Sequence, residues 1–109
     1  MEPVLSKPRR LLLQELLEEI SGLPETQVNF QPPNGMQMEY PSIVYSRSRA
    51  EVDHADNLPY RSAQGYSVTV IHPDPDNEIK DKVAALRYCD FDRWYATDGL
   101  NHDVYTLFF

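Results

Sequence analysis

The chain has 109 residues, 41% of them apolar, and 17 acidic side chains against 10 basic ones, for a formal net charge of −7. That length and apolar content build one domain with one thin core. The acidic balance argues against binding a phosphate backbone, which needs clustered Lys and Arg. The one cysteine, Cys89, excludes an intrachain disulfide and fits a reducing compartment, where it reads as a small core residue. No apolar run approaches the roughly 18 residues of a membrane span. The first residues lack the architecture of a signal peptide, so the expectation is a soluble protein made and used in a cytoplasm or in something assembled there.

The first predicted element is a helix over Pro8–Ile20. Leu12, Leu13, Leu16, Leu17 and Ile20 form one wide apolar stripe, Pro8 suits the first turn and Gly22 suits the position past the end. Its charges run against the helix dipole. Lys7, Arg9 and Arg10 stand at the positive end, Glu15, Glu18 and Glu19 lie toward the negative end, and Glu15 repels Glu19. A local rule broken without compensation marks a surface used by a partner, so these charges are candidates for contact with complementary surfaces in an assembly.

Leu23–Pro41 is punctuated by Pro24, Pro32, Pro33, Gly35 and Pro41. Val28–Phe30 reads as a short extended piece and Gln31–Glu39 as a loop with its tightest turn at Asn34–Gly35. Met36 and Met38 are exposed candidates on that loop for adaptable contacts.

Ile43 to about Asp53 reads as a strand on which Ile43 and Tyr45 share a face with Arg47 and Arg49. A second strand runs from about Arg61 to His72, where Tyr66, Val68 and Val70 alternate with Ser67 and Thr69. The two are expected to pair as an antiparallel hairpin around an Ala55–Pro59 turn. Asp74 is the expected cap of a second helix, with Pro75 at its first position, Ile79, Val83 and Leu86 along its apolar face and its end near Arg87.

Phe91–Thr97 is rich in aromatics and reads as a strand. Asp98–Gly99 is a two-residue hairpin signal, and Leu100–Phe109 returns as the last strand. Strict alternation places Phe91 and Tyr95 on one face and Trp94 on the other. A sheet with one covered face cannot hide both sets, so an aromatic is left for solvent or a partner, with Trp94 and Tyr105 as candidates. The apolar end Leu107–Phe108–Phe109 is expected to form an edge that another chain pairs. The class is therefore α+β: a two-layer, mainly antiparallel sheet with helices packed on one face.

Catalytic and metal chemistry finds little support. His54, His72 and His102 occur at no metal-ligand spacing, and His72 before Pro73 is expected to hydrogen-bond the turn. Asp74 and Asp76 lack the glycine and distal glutamate of a calcium loop. No glycine-rich phosphate loop is present. An enzyme reading would rest on Asp90, Asp92 and His102 as metal ligands of a small nuclease.

Three segments, Tyr40–Tyr45 (YPSIVY), Tyr66–Asp76 (YSVTVIHPDPD) and Phe91–Leu107 (FDRWYATDGLNHDVYTL), together with the order of elements, resemble the small tail-terminator and tail-completion proteins of long-tailed bacteriophages. The resemblance spans most of the chain beyond the first helix. It implies a structural virion protein with no cofactor, placed at the tail–neck junction and assembled in the host cytoplasm. Members of that family stop tail-tube growth as a ring, usually a hexamer, that presents a surface to the head-side connector. The implied partners are further copies of the chain, the tube protein and the connector, with neither sequence-specific nucleic acid nor membrane. A closed ring needs two different patches per subunit. Arg9, Arg10, Glu15, Glu18, Glu19, Met36, Met38, Trp94, Tyr105, Phe108 and Phe109 are the candidate residues. Alternatives are a head-completion or minor capsid protein of the neck, the small metal-dependent enzyme, and a host-directed acidic mimic of nucleic acid.

Overall fold

A computed structural model describes residues 8–48 and 64–109. The chain forms α1 (Arg9–Ser21), a short 3-10 turn at Glu25–Gln27, β1 (Val28–Phe30), β2 (Ser42–Arg47), β3 (Gly65–His72), α2 (Glu78–Ala84), β4 (Cys89–Thr97) and β5 (Leu100–Phe108). The strands make one sheet in the order β1-β2-β3-β5-β4, with β1 parallel to β2 and every other pairing antiparallel. This is the α+β sheet that the alternation of residues predicts. Arg49, the expected Ala55–Pro59 turn and the start of the second predicted strand lie outside the described residues.

The registers divide the sheet into two faces. Val28, Ile43, Tyr45, Tyr66, Val68, Val70, Tyr105 and Leu107 fall on one side and form a single core with Leu13 and Leu17 of α1 and Ile79 and Val83 of α2. Both helices therefore cover the same face. The opposite face carries Asn29, Val44, Ser46, Ser67, Thr69, Ile71, His102, Val104 and Thr106, a mainly polar and β-branched set in which Ile71 and Val104 are buried.

α1 ends where predicted. Gly22 takes φ +73°, and its N–H bonds the Glu18 carbonyl. Only glycine adopts that conformation without a Cβ penalty. The stripe is narrower than expected: Leu13 and Leu17 are fully buried, but Leu12 is 44% exposed. Tyr45 fastens the helix to the sheet. Its hydroxyl donates to Gln14 Oε1, while Gln14 Nε2 donates to the Val28 carbonyl at 2.9 Å and to Glu18 at 2.8 Å.

α2 starts later than expected. Asn77, not Asp74, caps it, accepting from the Ile79 N–H at 2.6 Å, and the helix ends at Ala84. Asp74 instead closes the preceding turn: its Oδ1 accepts from the Asp76 N–H at 2.9 Å. Two competent caps stand three residues apart here, and the chain uses the first for the turn and the second for the helix. Glu78 and Asp81 in the first turn and Lys82 in the last follow the dipole rule that α1 breaks.

The last strand is not an edge. β5 lies between β3 and β4, paired along its whole length, so among the described strands the edge on that side is β4. The Asp98–Gly99 turn closes that hairpin with φ +54° and +76°, the two positive values of the expected tight turn.

Candidate interaction surface

β4 is a nine-residue edge strand, and eight of its residues, all but Cys89, are exposed. A bulge lies at Asp92: Phe91 stands opposite Tyr105, but Arg93 stands opposite Val104. The extra residue shifts the alternation by one. Phe91 and Trp94 consequently share the helix-bearing face, and Tyr95 turns to the other, which reverses the expected assignment. Strict alternation gave no sign of the bulge.

Each aromatic is held in place yet open to solvent. Phe91, 59% exposed, meets the Tyr105 ring edge-on at 5.7 Å. Trp94, 57% exposed, donates from Nε1 to Asn101 Oδ1 at 3.2 Å. Tyr95 stacks on His102 at 4.5 Å and lies beneath the Arg93 guanidinium. These contacts fix the rings without covering them. Rigid aromatics with wet edges are the side chains that anchor protein–protein contacts. Among the described residues no strand pairs with the outer side of β4, while Asp90, Asp92, Arg93 and the bulge limit indiscriminate pairing.

The remaining candidate residues divide. Tyr105 is corrected: it is 4% exposed and belongs to the core, its hydroxyl donating to the Lys80 carbonyl at 3.1 Å. Burial and the nearby Asp103 push its pKa up to about 12. Phe108 and Phe109 are half-buried, and their backbones are paired with Tyr88 and Gln64. They are not a free edge. Met36 is exposed, but Met38 is half-buried, with Ser42 Oγ 3.9 Å from its sulfur. Arg9, Glu15 and Glu19 are exposed. Arg10 is half-buried over the Phe30 ring at 5.1 Å, and Glu18 accepts from Gln14.

The ligands of the enzyme alternative do not converge. Asp90 stands opposite Thr106 and His102 opposite Tyr95. Those positions are four residue steps apart on β5, roughly 13 Å along a strand. Among the described residues no group of His, Cys, Asp or Glu side chains could hold a metal ion. Cys89 is half-buried, and burial beside Asp90 pushes its thiol up to about 11, so it is not poised as a nucleophile.

One buried pair lay beyond sequence reasoning. His72 Nε2 is 2.6 Å from Asp103 Oδ2, and Nδ1 faces the Asp74 carbonyl. Both ring nitrogens are therefore engaged, one by a main-chain carbonyl and the other by a carboxylate. With His72 at 1% exposure, neither ring nitrogen is left for a substrate. The expected bond from His72 to the turn is present, and the pair is structural.

No described helix is long and apolar enough to cross a membrane. Compared with known proteins, the chain matches no family model, no curated protein and no solved structure.

Proposed function

We propose that this chain is a structural assembly protein of a long-tailed phage, which caps the end of the tail tube as a homo-oligomeric ring and joins it to the head-side connector. The observation that carries this reading is the β4 edge, where Phe91 and Trp94 are fixed on the face beside α2 and remain more than half exposed. Such an edge suits a protein whose working surface is another protein. The resemblance carried by Tyr40–Tyr45, Tyr66–Asp76 and Phe91–Leu107 supplies the tail-terminator assignment. The acidic balance suits partners met by charge complementarity rather than nucleic acid.

The test is electron microscopy of particles formed when the gene is deleted from the genome that encodes it. Overlong or headless tails are expected. Tails of normal length beside leaking heads would move the protein to the head side of the neck. Complete infectious particles would overturn the structural reading.

A further inference from the structure

The charges that run against the α1 dipole are part of a polarity of the whole subunit. Phe30, Arg47, Gly65, Phe108 and Cys89 lie at one end of the sheet, because β1 and β2 finish there, β3 and β4 begin there, and β5 finishes there. Arg47 stands at that end itself. Arg10 reaches it over the Phe30 ring, with Arg9 beside it, and Arg87 precedes β4 with its guanidinium over Tyr88. None of these arginines makes an ion pair among the described residues. One exposed β4 carboxylate, Asp90, adjoins Cys89 at this end.

The opposite end is acidic. Glu25 precedes β1, Asp74 and Asp76 follow β3, Glu78 opens α2, and Asp98 forms the β4–β5 turn. All five are exposed. The remaining described basic residues, Lys80, Lys82 and Arg93, lie between the two ends. α1 runs from the arginine end toward the acidic end, so its dipole adds to the side-chain polarity instead of cancelling it.

We infer that the arginine end of one subunit receives the acidic end of a second copy of this chain. The charge complementarity is between two different patches of the same molecule. The contact is therefore heterologous, the type that closes into a ring when successive subunits are rotated. This rests on the assembly reading and names its subunit contact. It leaves the β4 aromatics for the tube or the connector.

Sedimentation of the full chain, at millimolar concentration and about 20 mM or about 0.5 M salt, tests the inference. The wild type is expected to associate at low salt and to disperse at high salt. Arg47→Glu with Arg87→Glu, and separately Glu25→Lys with Asp76→Lys, each abolish association. A one-to-one mixture of the two variants restores it, as does one chain carrying all four changes. Circular dichroism melts establish that each variant folds. A wild type monomeric at low salt, association indifferent to salt, or a folded four-fold variant that stays monomeric overturns the inference. So does duplex DNA bound by the wild type and released by the arginine variant, which would give the basic end a different occupant. If these fail while gene deletion still gives overlong tails, the ring reading survives with another subunit contact.

Discussion

His72 and Asp103 meet across the β3–β5 register with Nε2 2.6 Å from Oδ2, buried beneath the turn that leads into α2. The contact joins two strands and, through the Asp74 carbonyl, the loop that positions Asn77 as helix cap. Removing one partner leaves a buried polar group without its bond. Asp103→Ala is expected to destabilise the fold by about 3 kcal/mol in urea unfolding. Asp103→Asn keeps an acceptor for Nε2 and is expected to cost about 1 kcal/mol. Equal losses for the two variants would contradict this account of the pair.

Tyr45 and Gln14 fasten α1 to the sheet in the same way. Tyr45→Phe removes only the hydroxyl that bonds Gln14 and is expected to cost about 1 kcal/mol. Gln14→Ala also strips the Val28 carbonyl of its donor and is expected to cost more. A double-mutant cycle by urea unfolding should give a coupling of at least about 0.5 kcal/mol, because the two residues touch. Strict additivity would place the anchor elsewhere.

Tyr105 makes the fold sensitive to alkali. In the unfolded chain it ionises near its ordinary value of 10, and in the folded chain at about 12. The folded state therefore holds its proton longer. The associated stability is complete below pH 10 and is lost as pH rises toward 12. Tyr105→Phe should flatten the fall in unfolding free energy across that window. An unchanged slope in the variant would show that Tyr105 is not responsible.

Cys89 should be slow to react. Its thiol is pushed up to about 11 from an ordinary 9, which cuts the thiolate fraction near neutral pH by roughly a hundredfold. Alkylation of the native chain by iodoacetamide at about pH 8 should lag the urea-unfolded chain by that order. Comparable rates would mean that the β4 start opens readily.

What the sequence displayed of this fold was what is encoded locally. The 13-residue α1 follows from a stripe and a terminal glycine, β3 from the alternation Tyr66–Val68–Val70, and the β4–β5 hairpin from Asp98–Gly99. Hidden features depend on partners distant in the chain. Nothing local places β5 inside the sheet, so Phe108 and Phe109 looked like a free edge. Nothing local distinguishes Tyr105, a core residue, from Trp94, an exposed one. The bulge at Asp92 exchanged the faces of Trp94 and Tyr95 because period-two reasoning assumes an unbroken ladder. The polarity of the subunit was half visible in the order of charges on α1. The rest required knowing that Arg47 and Arg87 fold to one end and Asp76 and Asp98 to the other.

The most direct test of the central claim is the tail-length distribution of gene-deleted particles complemented in trans. Wild-type protein should restore a single length. A chain carrying Phe91→Ala and Trp94→Ala, both solvent-exposed in the monomer, should fold with a melting temperature near that of the wild type and leave the tails overlong. Full rescue by that folded variant would contradict the assignment of the β4 edge as the working surface.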